Sequence, residues 1–368
     1  MSQKKSKQDR LVLIDGAGGY IGGHLVEEFT RSGYRVRATD ISGADFSIAA
    51  KAGAEIIPAD ILKPAELKAV MSGVDWLVHP AAAFDLGLPR KVLNRINVDG
   101  TDNVCRAAGE AGVKKMLHFS TGGVYGKTKF TPTTEEHPHR PIDAYSRSKE
   151  MAEKVIQKYV RDHGLHVLLF RPTAVYGPRG RYVAGTFMSL PFVLKSFGIR
   201  SLPLIRGGQR LNMIHVEDIA RAAVFVLECD DIPAGEAFNL ADSEIQTAEE
   251  FFTTYMESYG MSVLFHVPYP RRTFDLVFTG LSYLPSRSLE PLNRWLSKKW
   301  DAVVKKHNLV PALTPKIARD SFSYFMGDHA YANTKLLNLG FKLKYPGFRE
   351  GWMETVKWYR DNRWLPPA

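Results

Sequence analysis

The sequence predicts an α/β protein with a doubly wound parallel sheet and a smaller C-terminal lobe. Three observations carry that prediction. Short apolar runs alternate with helical patterns over residues 11–171, the order expected when strands lie parallel and helices cross back between them. A glycine cluster, LIDGAGGYIGGH at 13–24, follows the first run and leads into a helical pattern. The second run closes on an acid, Asp40.

Taken in order, the strands are LVLID (11–15), YRVRATD (34–40), AEIIPAD (54–60), VDWLVHPA (74–81), VKKMLHFS (113–120) and LHVLLFRP (165–172). Helices are expected at 20–32, 64–72, 90–111 and 143–163. The last carries Met151, Ala152, Val155, Ile156 and Val160 at helical spacing. Residues 11–180 thus form one sheet domain, to which a segment of about 211–240 returns. Residues 181–368 make up most of a second lobe, punctuated by proline and glycine. Within it, 262–300 interleaves aromatic and aliphatic residues with Arg and Lys. Its apolar part is too short to span a bilayer; it is expected to pack into the core as a helix, with an interfacial position or an apolar pocket wall as alternatives. A closing pattern, GWMETVKWYRDN, reads as a docking helix.

Composition narrows the classes. An apolar fraction of 45% and a charged fraction of 24% are those of an ordinary globule. The two cysteines, Cys105 and Cys229, are too few and too scattered for a disulfide framework or a thiolate metal site, which favours a reducing compartment. No metal site is expected. The first ten residues, MSQKKSKQDR, read as a disordered basic tail and not as a signal peptide. A net charge of +10 comes without any nucleic-acid signature, so no nucleic-acid partner is expected.

The glycines have a chemical reading. Gly16, Gly19 and Gly22 sit between strand and helix, where backbone must approach a pyrophosphate and helical N–H groups meet it. Tyr20 and Ile21 fall inside this turn. Asp40 is placed to accept from ribose hydroxyls and to repel a 2′-phosphate. NAD is therefore the expected cofactor and NADP the alternative, since Arg35 and Arg37 lie close by. Asp60 is placed to reach the adenine amino group, with Ile61 against the ring; turn capping is the competing role for Asp60.

YSRSK at 145–149 sets Tyr145 and Lys149 four apart, on one helix face. An ammonium beside a phenol stabilises its phenolate and brings proton exchange toward neutral pH. Ser120 and Thr121 end the fifth run, where parallel sheets place ligands, and offer hydroxyls to a carbonyl or alkoxide.

These motifs, with HPAA (79–82), NVDGT (97–101), RPTAVYGP (171–178) and MIHVEDIA (213–220), resemble the extended short-chain dehydrogenase/reductases over nearly the full length. The resemblance implies a Rossmann-type sheet with a substrate-binding lobe, Tyr145 as acid/base, Lys149 as its partner and Thr121 as the catalytic hydroxyl. It also implies that Ala81, Ala82, Asn97 and Pro172 line the cofactor, and that the chain pairs as a homodimer. Three positions depart from the family pattern. Asp15 replaces a threonine before the first glycine. Ala174 stands where nucleotide-sugar enzymes carry asparagine, and Leu211 where they carry arginine. The C-terminal segments LTPKIARDSFSYFMGDHAYANTKLLNLGFK and YPGFREGWMETVKWY resemble the 3β-hydroxysteroid and sterol-4-carboxylate dehydrogenase branch. The expectation is an oxidoreductase interconverting a secondary alcohol and a ketone on a hydrophobic substrate, a sterol or a long-chain keto or sphingoid lipid. The alternatives are a nucleotide-sugar epimerase or dehydratase with tightly bound NAD, and an NAD-binding scaffold without turnover. A cytoplasmic location is expected, with peripheral contact at the inner face of a membrane through 262–300.

Overall fold

The computed structural model describes residues 5–84, 88–317, 322 and 327–367. Residues 1–4 of the basic tail lie outside these, as do 318–321 and 323–326 of the C-terminal pattern beginning at Leu313. Seven strands form the expected all-parallel sheet: β1 (Leu11–Ile14), β2 (Arg35–Ala38), β3 (Glu55–Ile56), β4 (Trp76–His79), β5 (Lys115–Phe119), β6 (Val167–Pro172) and β7 (Ala237–Leu240). Their spatial order is β7-β6-β5-β4-β1-β2-β3. The chain therefore winds outward from β1 in one direction, then from β4 in the other. The switch point, where the crevice of such sheets takes ligands, falls at the carboxyl ends of β1 and β4.

Both faces are covered because the strands are apolar on both sides. On one face Val12, Trp76, Val78, Phe119 and Phe170 meet helices α1 (Tyr20–Arg31) and α4 (Val216–Glu228). On the other, Leu13, Leu77, Met116 and Leu169 meet α2 (Gly100–Ala111) and α3 (Ala144–His163). The segment 211–240 supplies α4 and β7 to this sheet and its cover. Helix α3 starts where Asp143 accepts the Ser146 N–H at 2.7 Å, and stops at Gly164 in the left-handed region.

Three local readings change. The third strand shrinks to Glu55–Ile56, because it lies at the sheet edge and runs into Pro58. The helix expected over 90–111 is broken by one wide π-type turn, Arg95–Asp99. Residues 5–10, expected as a disordered tail, instead lie along the sheet's amino edge: Lys5 Nζ reaches Asp75 at 3.0 Å and the Arg10 guanidinium covers the Trp76 ring at 4.0 Å.

The second lobe has its own core. Helices Tyr182–Ser196, Ala248–Ser258, Glu290–His307 and Phe348–Asp361 surround Met188, Tyr255, Trp300, Trp352 and Tyr359. Beside them Ser201–Ile205 pairs in parallel with Ser262–Val267. Helix α5 (Arg271–Ser282) does not pack into the core as expected. Phe274 and Phe278 turn inward toward Tyr269 and Phe322, but Leu276 is 74% exposed and Val277 52%. Cys105 and Cys229 are both free thiols.

Candidate active site

The glycine turn is as tight as its sequence requires. Gly16 takes φ +60°, and a Cβ there would sit 2.8 Å from the Ala81 Cα. A Cβ on Gly22 would stand 2.0 Å from the Gly16 carbonyl oxygen, so only glycine lets α1 press against the turn. Gly19 is the N-cap of α1 and no side chain caps it, which leaves the helix's first N–H groups toward the crevice. Tyr20 is half-buried and its hydroxyl has no partner among the described residues; Ile21 packs against the sheet core.

Asp15 sits at 1% exposure beneath this turn. Its Oδ1 accepts the Ala81 N–H at 3.0 Å, and its Oδ2 lies 2.6 Å from His79 Nδ1. The carboxylate is thus engaged by groups on the β4 side.

At the adenosine side, Asp40 accepts N–H groups of Gly18 at 3.0 Å and Ile41 at 2.7 Å. Burial pushes its carboxyl above the usual range, those bonds oppose the shift, and the Asp15 charge adds to it. Arg37 turns away: its guanidinium bonds Glu55 at 2.9 Å and the carbonyls of Val70 and Ser72 at 2.8 Å each. Arg35, the first residue of β2, lies at the strand end opposite the crevice. No arginine of this strand is therefore aimed at a 2′-phosphate beside Asp40, consistent with NAD. Asp60 caps its own turn through the Leu62 N–H at 2.9 Å, and Ile61 presses on α2 at Gly100, where a Cβ would lie 2.6 Å from its Cδ1.

The end of β5 and the start of α3 carry Thr121, Tyr145 and Lys149. Thr121 opens a short turn, Gly122–Tyr125, and accepts the Gly123 N–H at 3.2 Å, which leaves its own hydroxyl proton to donate. A Cβ on Gly123 would lie 2.4 Å from Ser146 Oγ. This contact sets the Thr121 loop against the first turn of α3, beside Tyr145. Ser120 Oγ is buried with no partner among the described residues. Pro172 ends β6 with its carbonyl oxygen 3.3 Å from where a Gly122 Cβ would be. Ala81 and Ala82 are half-buried on the facing loop.

Lys149 is buried, and desolvation pulls its ammonium down to about 8, with Glu153 and Asp15 opposing the shift. Burial, with Asp143 close by, pushes the Tyr145 phenol up. As it stands the phenol holds its proton.

Asn97 is brought to this site in a role the sequence reading missed. Its Oδ1 accepts the Ala83 N–H at 2.7 Å, and its Nδ2 donates to Ser148 Oγ at 2.9 Å. Ser148 Oγ in turn donates to the Tyr145 carbonyl at 2.7 Å. Two further residues carried no sequence signal. Phe84 meets the Tyr145 ring edge-on at 4.8 Å. His118 lies buried beside His79, ring centroids 5.1 Å apart, and is kept neutral by burial and by Lys149 and His79. On the substrate side Ala174 is exposed, and Leu211 pairs with Gln246.

An uncapped helix start, two glycines that exclude a Cβ, an acid at the second strand end and orphaned hydroxyls at Tyr20 and Ser120 fit a dinucleotide running across the switch point. Fold and site together define a nicotinamide-dependent enzyme of the extended short-chain type. A family model for the NAD dependent epimerase/dehydratase family matches residues 12–241, and the chain belongs to that family. Its cofactor is NAD. The chain is 26% identical to the uncharacterized protein YbjS of Escherichia coli strain K12, over 96% of this chain and 99% of that one. It is 25% identical to the uncharacterized protein y4nG of Sinorhizobium fredii over 66% of this chain, a match that spans 58% of y4nG. It is 27% identical to a Stigmatella aurantiaca 4-hydroxy-2-methyl-3-oxo-4-farnesyl-3,4-dihydroquinoline-1-oxide ketoreductase, over 68% of this chain and 73% of that one. Among solved structures, the dTDP-glucose 4,6-dehydratase DesIV of Streptomyces venezuelae, with NAD bound, superposes at a TM-score of 0.69. That match has 23% identity and covers 96% of this chain and 98% of DesIV.

Proposed function

We propose that the protein interconverts a secondary alcohol and a ketone on a hydrophobic, lipid-like substrate. The observation that carries this reading is the edge of Phe84 against the Tyr145 ring, an apolar border at the proton-transfer group. Ala174 and Leu211 support it, since neither offers an amide or cation to a sugar diphosphate. The farnesyl-bearing substrate named for the Stigmatella relative points the same way.

Gly16, Gly19 and Gly22 would hold the pyrophosphate, Asp40 the adenosine ribose, and Lys149 with Ser120 the nicotinamide end. NAD, when bound, supplies the hydride acceptor at C4, or the donor in its reduced form. Tyr145 exchanges one proton with the substrate oxygen. In the protonated form favoured by burial, it donates to a carbonyl that is becoming an alcohol. Lys149 stabilises the phenolate left behind, and Thr121 donates to the same oxygen. In the oxidising direction the alcohol proton returns to Tyr145.

The test is to incubate the protein with NAD and a panel of hydroxylated sterols and long-chain lipids, and separately with UDP- and dTDP-sugars without added cofactor. The expected result is reduced NAD with a hydroxylipid, and a loss of about 10²–10⁴-fold in turnover on Tyr145→Phe with cofactor binding retained. Conversion of a nucleotide sugar without added cofactor would overturn the lipid reading.

We also propose that α5 and its flanks rest on an anionic lipid surface. Leu264, Phe265, Leu276, Val277, Tyr283 and Trp295 are exposed along this stretch of the sequence, as are Arg271, Arg272, Arg287, Arg294 and Lys298.

A further inference from the structure

The Asp15 that departs from the family pattern is one end of a hydrogen-bonded chain that reaches the catalytic helix. Asp15 Oδ2 meets His79 Nδ1 at 2.6 Å, and His79 Nε2 meets Thr101 Oγ1 at 3.1 Å. Thr101 Oγ1 gives its own proton to the Asn97 carbonyl at 2.7 Å, so toward His79 it accepts. The Asn97 amide then holds Ala83 and Ser148, and Ser148 holds the Tyr145 carbonyl. Asp15, His79, Asn97, Thr101 and Ser148 are all buried, where a broken link leaves a polar group without water to replace it. The π-type turn Arg95–Asp99 carries Asn97 at the middle of this path. Such wide turns are rare, and this one sits between two fixed points of the strut.

We propose that Asp15 and His79 are positioning residues: they brace the end of β1, beneath the glycine turn, against α3 and thereby set where Tyr145 and Lys149 together stand relative to that turn. This rests on the reading of Tyr145 as the proton-transfer group. Geometry, and not the Asp15 charge, is what the strut transmits. An amide at position 15 preserves every link: its oxygen accepts from Ala81, its NH₂ donates to His79 Nδ1, and Nε2–H still donates to Thr101. Asp15→Asn therefore replaces the carboxylate and keeps the strut. Asp15→Ala removes both, and Thr101→Val cuts the strut while leaving Asp15 in place.

The readout is the ionisation of Tyr145 in the NAD-loaded protein, followed by ultraviolet difference titration with each variant's Tyr145→Phe counterpart as the blank. The titratable groups facing this region are Asp15 and Asp40 at the turn, His79 and His118 on β4 and β5, and Asp143, Lys149 and Glu153 at α3. All are unchanged in Thr101→Val. Asp15→Asn should leave the Tyr145 acid constant within about threefold of the parent. Asp15→Ala and Thr101→Val should weaken the acid at least tenfold, as α3 and the glycine turn lose their fixed separation and Tyr145 moves away from the positive charge of the oxidised cofactor. If Asp15→Ala does not fold, Thr101→Val alone decides. Equal shifts for Asp15→Asn and Asp15→Ala, or no shift for Thr101→Val, overturn the proposal. A parent protein whose Tyr145 titrates only as a free phenol would instead count against its catalytic role, a separate outcome visible before any strut variant is made.

Discussion

At the scale of single residues, burial of the Lys149 ammonium costs the fold stability. Its folded value near 8 lies below the roughly 10.4 of an unfolded lysine. Between those values the unfolded chain binds more protons, so this group adds stability as pH rises from about 8 to about 10.4 and penalises the fold fully below 8. That penalty is about 3 kcal/mol at neutral pH. Lys149→Met should therefore unfold at higher denaturant than the parent at pH 7, with the gain shrinking as pH approaches 10, while turnover is lost. Paired urea melts at the two pH values check it; a variant no more stable at pH 7 would show that burial of this ammonium carries no net cost to the fold. The places of the glycines and Asp40 at strand ends, and of Tyr145 and Lys149 on one helix, were legible in the sequence because each lies at a fixed step from a strand end or along one helix. The Asp15–His79 pair was not, since its partners are 64 positions apart. Nor was the Phe84 contact with Tyr145, because an aromatic in a loop has no periodicity to reveal its neighbour.

At the scale of elements, apolar runs foretold six of the sheet strands because a strand buried on both faces must be apolar throughout. What they hid were interruptions set by tertiary position, such as the edge that shortens β3 and the π-type turn before α2. The start of α4 is another feature decided by packing. His215 caps it by accepting the Glu217 N–H at 3.2 Å, and its ring lies 4.1 Å from that of Tyr345. Burial, with His24 and Lys344 adding to it, pulls His215 down to about 3. A histidine held neutral in the fold and free to protonate when unfolded, at about 6.5, costs stability as pH falls through that value. The loss runs at about 1.4 kcal/mol per pH unit between about 6.5 and 3. His215→Asn keeps a capping oxygen and has no proton to gain. Its denaturant midpoint should fall less than the parent's between pH 7 and pH 5; parallel losses in the two proteins would place the acid sensitivity elsewhere, with His24, pulled down to about 4, the next to examine.

At the scale of the molecule, the sheet domain and the second lobe answer different questions. The sheet domain carries the glycine turn, Asp40, Tyr145 and Lys149. The lobe's outer face holds what the chain adds: no helix among the described residues is long and apolar enough to cross a membrane, yet α5 turns apolar side chains outward. Burying such side chains is worth about 25 cal/mol per Å² of apolar surface, and each basic residue near an anionic leaflet adds about 1 kcal/mol. Two independent contributions of this kind predict a specific pattern in vesicle flotation. The parent should float with vesicles containing phosphatidylserine and remain behind with phosphatidylcholine alone. Raising the salt should weaken binding, because the attraction of Arg271, Arg272, Arg287, Arg294 and Lys298 is screened within about a Debye length. Leu276→Ser with Val277→Ser should weaken it at any salt, since the apolar contribution is not screened. Both variants leave Tyr145 and Lys149 untouched, so activity on a detergent-dispersed substrate should be retained while activity on vesicle-borne substrate falls. Flotation unchanged by these two substitutions, or equal on neutral and anionic vesicles, would remove α5 as the contact and return its exposed residues to an ordinary surface role.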